Sequence, residues 1–182
     1  MLFFLGLEEA LPGLGHHTFF FDTGLDEHLS QVFDFGQHAA APTFYVTAAA
    51  RTAPEGATAP PGGDALFVLV PMAYALNGTD TPALRAAVLE QVLDRMDART
   101  PLASGASIRS VLAYNASYGT NEFELDFHAL RGNAFGLANI LSQSLVFKPS
   151  MTSGARNMVF AGHMTNPGPG VPPSMISGIV AA

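Results

Sequence analysis

The chain has 182 residues, of which 48% are hydrophobic, 18 are Gly and 13 are Pro, a composition typical of a packed globular protein rich in loops. A net charge of -7 with only 8 Lys and Arg excludes the basic surface that nucleic-acid-binding proteins need. Because cysteine is absent, disulfides and thiolate metal sites are excluded, and the cytoplasm is the expected location.

Only 13% of the residues are charged, whereas 48% are hydrophobic, and this balance predicts that part of the protein surface is apolar. The longest apolar stretch, 65–76, is interrupted by Pro71 and is shorter than the roughly 20 residues needed to span a bilayer. The first residues lack the basic region of a signal peptide. We therefore expect no spanning helix, but a surface that a membrane face, a lipid ligand or a partner domain covers.

Six short apolar or β-branched runs predict strands, because Gly, Pro, Asp and other turn residues bound them. They lie at 1–9, 19–21, 43–47, 65–70, 108–113 and 157–161. The second, third and fourth are expected to share a sheet. Between the third and fourth, the segment 53–63 holds three Pro and three Gly and predicts an irregular surface loop.

Three helices are predicted. The clearest begins at Thr81, which can cap it, has Pro82 in its first turn and runs to about Arg99. One of its faces is expected to cover the sheet, since apolar residues recur there at helical spacing, namely Leu84, Val88, Leu89, Val92, Leu93 and Met96. A short helix is predicted over 121–130 and an apolar one from about Pro173. With no regular βαβ repeat, the order predicts an α+β fold.

The Gly- and Pro-rich loop before the last predicted helix is the segment with the clearest chemical meaning. Gly168 and Gly170 let the backbone approach a flat or charged ligand. The helix from about Pro173 would point its free N–H groups and its positive dipole end at the same place, which suits an oxygen acceptor or an anion. Such turns are also common structural features, so these residues alone leave a binding loop and a structural turn both open.

No other motif predicts a reactive site. The histidines are not at metal-ligand spacing, and adjacent His16 and His17 would point to opposite faces of a strand, so no metal site is predicted. A Gly-x-Ser-x-Gly motif is absent. Glu124 and Asp126 near His128 fit an acid–base cluster or the solvated face of a short helix, and we favour the solvated face. The catalytic residues stay unidentified.

Four sequence blocks follow one another along nearly the whole chain. They are Gly-His-His-Thr-Phe-Phe-Phe at 15–21, Pro-Pro-Gly-Gly and the next strand at 60–71, Arg-Gly-Asn-Ala-Phe-Gly-Leu at 131–137 and Thr-Asn-Pro-Gly-Pro-Gly-Val-Pro at 165–172. In these blocks the sequence resembles the C-terminal part of bacterial-type phytoene desaturases, of the flavin-containing amine oxidase superfamily. Two positions depart from the family pattern: Asn166 stands where His is common, and Lys148-Pro149 replaces the commoner Arg-Pro.

The resemblance implies that the cofactor is FAD and that the last strand, loop and helix complete its binding domain. The region of Gly162 would lie beside the ribityl and phosphate groups, and the backbone at 170–172 would face the pyrimidine edge of the flavin ring. A helix N-terminus there favours the negative charge that the ring gains when it accepts hydride. The implied cofactor-binding residues are Gly162, His163, Thr165, Gly168, Gly170, Val171 and Pro172.

The resemblance also implies an apolar isoprenoid or carotenoid substrate, and peripheral membrane contact through which the protein takes it up. The implied substrate-binding residues are Arg131, Phe135, Leu137 and Phe147, although core packing accounts for the apolar ones equally well. The implied reaction removes two hydrogens from neighbouring carbons and extends a conjugated chain. A related carotene isomerase or ketolase, and a non-enzymatic isoprenoid-binding protein without flavin, are the alternatives.

The implied organisation is a partial substrate-binding region at 1–156, with a mixed sheet and covering helices, followed by the strand, loop and helix of an FAD-binding domain at 157–182. The family's N-terminal Gly-x-Gly-x-x-Gly motif, which holds the adenosine diphosphate part of FAD, does not occur in this sequence. We expect an N-terminal FAD-binding half or subunit to be a partner, and the chain to be inactive without it.

Overall fold

The computed structural model describes residues 1–33, 41–73, 80–137, 140–143 and 147–182. These residues form a five-stranded sheet with β1 at Leu2–Leu7, β2 at His17–Phe20, β3 at Phe44–Ala48, β4 at Asp64–Leu69 and β5 at Leu112–Tyr118. The strand order is β2-β3-β4-β1-β5, and every pairing is antiparallel. The prediction of a mixed sheet is therefore wrong. The reason is the position of β1. It lies between β4 and β5, which run in the same direction, so these two strands are not neighbours and form no parallel pair.

The chain divides into two compact units, Met1–Gly132 and Asn133–Ala182. The sheet belongs to the first unit, together with the helices α1 at Leu25–Phe33, α2 at Pro82–Arg99 and α3 at Thr120–Phe127. The second unit contains α4 at Val171–Ala181. The predicted boundary between the substrate-binding region and the FAD-binding segment, at 156/157, stays a prediction, because a division into compact units does not test a division by function.

Helix α2 covers one face of the sheet, as its apolar periodicity predicts. It begins where expected, since the Thr81 hydroxyl accepts a hydrogen bond from the Leu84 N–H at 3.2 Å and Pro82 occupies the first turn. The strands alternate between buried and exposed positions, so one face of each points at α2. The core of the first unit lies between them and contains Phe3, Leu5, Leu7, Phe20, Phe44, Val46, Leu66, Val68, Val88, Leu89, Val92, Leu93 and Met96.

The structure confirms the four earlier strands within a few residues, but two later strand predictions are wrong. The segment Ile108–Val111 is a 3-10 helix capped by the Ser107 hydroxyl, and β5 begins only after it. The segment 157–161 forms no strand: it makes one isolated bridge, Thr152 to Val159, and Asn157 has a positive φ of 62°. A strand needs a neighbour along its length, and none of the described residues supplies one there.

A buried ion pair joins the start of β4 to the connection between β1 and β2. Asp64 is 1% exposed, and its carboxylate accepts hydrogen bonds from Arg51 Nη1 at 2.9 Å and Nη2 at 2.7 Å. The Leu11 N–H donates to the same carboxylate at 2.8 Å. Arg51 also donates to the carbonyl oxygens of Leu14 at 3.0 Å and Leu11 at 2.6 Å. One guanidinium therefore fixes three separate segments of the chain.

Replacing Arg51 with Met should lower the free energy of unfolding of the first unit by about 3 kcal/mol, because it leaves a buried carboxylate without its cation. Chemical denaturation followed by circular dichroism measures the change. Arg109→Met is the matched control: Arg109 pairs with the exposed Glu90 and Asp94, so its loss should cost less than about 1 kcal/mol. Equal losses for the two variants would contradict the role given to Arg51.

Candidate functional site

The loop before α4 has a backbone that requires glycine at two places. Gly168 has a φ of 133° and Gly170 a φ of 112°, conformations that residues with a Cβ rarely adopt. A Cβ on Gly168 would lie 3.2 Å from Lys148 Cε, and one on Gly170 would lie 3.4 Å from Pro173 Cδ. The loop is therefore closely packed on one side, and its two glycines keep the backbone free of side chains.

The N-terminus of α4 offers fewer hydrogen-bond donors than the sequence indicates. The helix begins at Val171 rather than near Pro173, so Pro172 and Pro173 occupy its second and third positions and have no N–H. The Ser174 N–H already donates to the Gly170 carbonyl at 3.0 Å. Of the first three helical positions, only Val171 can donate to a ligand. The positive end of the helix dipole is unaffected.

Two hydroxyl groups hold the loop in place. Ser177 is fully buried, and its Oγ accepts a hydrogen bond from the Gly162 N–H at 2.7 Å and donates to the Ser174 carbonyl at 2.6 Å. The Thr165 hydroxyl donates to the Pro149 carbonyl at 2.8 Å. Thr165, predicted to bind the cofactor, thus positions the loop. No role could be assigned to Ser177 from the sequence, because nothing there distinguishes it from Ser174 in the same helix.

The third and fourth sequence blocks meet in the second unit. Asn133 Oδ1 accepts hydrogen bonds from the N–H groups of Phe135 at 3.0 Å and Gly136 at 3.2 Å, which closes a tight turn. Gly136 has a φ of 72°, and a Cβ there would lie 2.3 Å from Met164 Sδ and 3.0 Å from His163 Nε2. The turn at 133–137 therefore packs directly against the loop that contains His163.

The predicted substrate-binding side chains are not core residues. Phe135 is 68% exposed and Phe147 is 62% exposed, which removes core packing as the explanation for them in this structure. Leu137 is half-buried. Arg131 is exposed, has a φ of 55° and belongs to the first unit. Their role in binding substrate stays a prediction.

The sheet face opposite α2, which we call the open face, is also apolar. Its facing pairs include Phe4 with Phe67, whose ring centroids lie 5.6 Å apart, and Phe19 with Tyr45, at 4.9 Å. Phe4 is 40% and Phe19 60% exposed. Its larger apolar and aromatic residues are Leu2, Phe4, Phe19, Tyr45, Phe67, Leu69, Tyr114 and Tyr118. The sequence predicted exposed apolar surface but did not place it, although a strand apolar at nearly every position, Leu-Phe-Phe-Leu-Gly-Leu, is the signal for two apolar faces.

A hydrogen-bonded group on the open face involves His17. Its Nδ1 lies 2.5 Å from the Tyr45 hydroxyl, which accepts a hydrogen bond from Thr47 at 2.5 Å. The rings of His16 and His17 are 4.3 Å apart, so the prediction that they point to opposite faces is wrong. Its reason is that β2 begins at His17, while His16 precedes the strand and contacts Thr52 at 2.5 Å.

The described part of the chain holds no group of three or more His, Asp or Glu side chains able to bind a metal ion. His38 lies outside the described residues. Among the helices of the described residues, none is long and apolar enough to cross a bilayer.

A half-open cleft of about 530 Å³ between α2 and β5 is a second candidate site. Arg85 lies in it, with its five N–H groups directed at the carboxylates of Asp80 and Glu122 and at the Ser117 hydroxyl. Glu122 also accepts a hydrogen bond from the Gly119 N–H at the start of α3. The guanidinium has no donor left for a ligand. We interpret this cluster as a structural clamp between α2 and α3.

The chain is similar to enzymes that act on carotenoids, and no family model matches it. These relatives confirm the predicted resemblance to carotenoid desaturases. A carotenoid 3,4-desaturase of Haloarcula japonica is 33% identical over 178 residues, covering 97% of this chain and 34% of that protein. A 4,4'-diapophytoene desaturase of Methylomonas sp. is 33% identical over 94% of this chain and 32% of that protein. A 4,4'-diapolycopene oxygenase of Methylomonas sp. is 28% identical over 96% of this chain and 34% of that protein.

The chain spans about a third of the length of the curated relatives it matches, 34% and 32% for the two desaturases. The similarity runs along nearly all of the chain, so both compact units have counterparts in those proteins.

Acidification should weaken the clamp. Hydrogen bonds from Arg85 lower the pKa of Glu122 below its ordinary value of 4.5. The stabilisation from Glu122 is therefore fully present above pH 4.5 and is lost as the pH falls through the lowered pKa of the folded state. Chemical denaturation at a series of pH values should show a shallower acid loss in Glu122→Gln than in the unchanged protein. Glu124→Gln, on the exposed side of α3, should keep the full slope.

Replacing Gly136 with Ala should lower the free energy of unfolding of the second unit by about 2 kcal/mol, because the added Cβ meets Met164 and the backbone is left-handed. Gly154→Ala is the control: nothing lies within 4 Å of a Cβ there, so its effect should stay within about 0.5 kcal/mol. Thermal melts followed by circular dichroism compare the two variants. A Gly136→Ala protein as stable as Gly154→Ala would contradict the strained, closely packed backbone described for Gly136.

Proposed function

We propose that the chain is the C-terminal portion of an FAD-dependent carotenoid desaturase and contributes its substrate wall and flavin-capping loop. The observation that carries this proposal is the similarity over 97% of the chain to a carotenoid 3,4-desaturase. The loop before α4 adds support, because its glycines and helix end match what a flat, electron-accepting ring needs.

The residues of the loop fit an FAD ring. Gly168 and Gly170 have no side chain at positions where one would lie close to Lys148 and Pro173, so a ring can approach the backbone there. Val171 has an N–H at the positive end of α4. When bound, FAD supplies the hydride acceptor for the removal of a hydride and a proton from neighbouring carbons. The residues proposed to hold it are Gly162, His163, Thr165, Gly168, Gly170, Val171 and Pro172. Thr165 would act through the position of the loop, since its hydroxyl is used by Pro149.

The protein's own task is to bind and align an apolar chain that has few groups for hydrogen bonding. In the first unit, we propose that the open face does this by packing its aromatic and aliphatic side chains against the polyene. In the second unit, the exposed rings of Phe135 and Phe147 and the half-buried Leu137 would contact substrate. Arg131, in the first unit, is assigned the same role from the family pattern. Apolar contact on these surfaces also excludes water.

A partner half is part of the proposal. Helix α4 leaves Val171 at 74%, Ile179 at 75% and Val180 at 66% exposure, which is costly for an isolated protein in water. Because the chain spans a third of its relatives, we propose that an FAD-binding half with the dinucleotide motif covers this helix. The complete protein would work in the cytoplasm, in peripheral contact with the membrane that holds the substrate.

Expression of the reading frame that contains this chain, in a bacterium that accumulates an acyclic carotenoid, tests the proposal. The expected result is a product two hydrogens lighter for each new double bond, with absorption at longer wavelength, and a purified protein that contains FAD. Chromatography with mass spectrometry measures both the product and the flavin. A folded protein without flavin that leaves phytoene and its partly desaturated derivatives unchanged would contradict it and favour the non-enzymatic isoprenoid-binding alternative.

An oxygenase is the second candidate, because a relative with that name is 28% identical over 96% of the chain. The same experiment separates the two activities by mass: a product heavier by oxygen identifies an oxygenase or ketolase. A product of unchanged mass and altered chromatographic position identifies an isomerase.

A further inference from the structure

Lys148 lies directly beside the loop before α4. The residue is only 7% exposed, and its Cε lies 3.2 Å from the position that a Cβ on Gly168 would occupy. The carbonyl of the next residue, Pro149, accepts the hydrogen bond of Thr165 at 2.8 Å, which ties this segment to the loop. The end of the lysine side chain is therefore held at the turn that contains Gly168 and Gly170.

Within the part of the chain that the structure describes, the ammonium group of Lys148 makes neither an ion pair nor a hydrogen bond. The sequence of the second unit, 133–182, contains no Asp or Glu at all, so no carboxylate side chain of this unit can neutralise it. The stem of Lys148 is buried while its ammonium group reaches solvent, so a ligand that carries negative charge can approach it.

The lysine also compensates for what α4 lacks. Proline at the second and third positions leaves Val171 as the single donor among the first three residues of the helix. The helix dipole alone gives about half a positive charge, whereas Lys148 adds a full one at the same loop. Two independent features, a helix end and an unpaired lysine, thus favour the same kind of ligand, a planar group that carries or gains negative charge.

We infer that Lys148 binds the edge of the flavin ring that becomes negative on reduction, and so favours reduced over oxidised FAD. This inference rests on the proposed function, because it takes FAD as the ligand. Lys148 is then a positioning and electrostatic residue toward the cofactor, at a place where the family pattern has Arg-Pro and this chain has Lys-Pro. A long side chain with a single charged end adds a donor next to a helix whose first three residues offer one N–H group.

The test is the reduction midpoint of the FAD-loaded protein, made from the reading frame that contains the chain and measured by equilibration with a reference dye. Lys148→Met keeps the buried aliphatic stem and removes the charge. It should weaken the binding of reduced relative to oxidised FAD about tenfold, as expected for one lost charge-assisted hydrogen bond. That tenfold change corresponds to a midpoint about 30 mV lower for a two-electron couple. Lys148→Arg should restore most of the shift.

Arg156→Met is the matched control, because it removes one positive charge from an exposed position of the same unit and should leave the midpoint unchanged. If Lys148→Met does not fold, Lys148→Gln is measured in its place with the same expectation. A wild-type protein without flavin overturns both the proposed function and this inference. A flavin-loaded wild type whose midpoint equals that of the charge-removing variant overturns the inference alone.

Discussion

The buried pair of Arg51 and Asp64 is the contact on which the first unit depends. It joins the start of β4 to the chain between β1 and β2, and it also supplies the carbonyl oxygens of Leu11 and Leu14 with a donor. The Leu11 carbonyl also accepts a hydrogen bond from the Leu14 N–H at 3.2 Å, so Arg51 adds a second donor there, whereas at the Leu14 carbonyl it supplies a hydrogen bond worth about 1 to 3 kcal/mol if lost. Because the pair fixes where β2 starts, it also fixes where His17 and Phe19 reach the open face.

The arrangement of the sheet explains how the first unit is both stable and able to bind an apolar ligand. Helix α2 covers one face, and the core of the unit lies between them. The second face has similar side chains: α3 reaches it at Tyr118, whose ring packs against Phe123 and Phe127, while Phe4, Phe19 and Tyr114 stay exposed. Since burial of apolar surface is worth about 25 cal/mol per Å², an apolar ligand on the open face would gain the same kind of stabilisation that the core gains from α2.

Local patterns predicted the first four strands and three of the helices, but they missed α1 and gave strands at 108–111 and 157–161 that the structure does not have. They carried no information on long-range pairing. The cap at Thr81 and the periodicity of α2 are encoded within a few residues, so both ends of that helix were predictable. The position of β1 between β4 and β5 depends on contacts between distant residues, which no local pattern encodes. At the candidate site, the glycines were visible in sequence. The number of free N–H groups at the start of α4 could not be predicted, because it depends on the helix beginning two residues earlier than expected. That Lys148 lies beside the loop with no partner among the described residues could be seen only from the residues around it in the structure.

The position of β1 inside the sheet, between β4 and β5, sets an order for folding. This strand pairs with β4 on one side and with β5 on the other, so its first neighbour lies about 60 residues later in the chain and its second more than 100 residues later. During synthesis, a strand that is apolar on both faces therefore has no pairing partner until β4 has been made, and it is fully paired and covered only after α2 and β5 have followed. A nascent chain of this kind is a natural substrate for chaperones that shield apolar segments, and its yield should depend on them more than its final stability does.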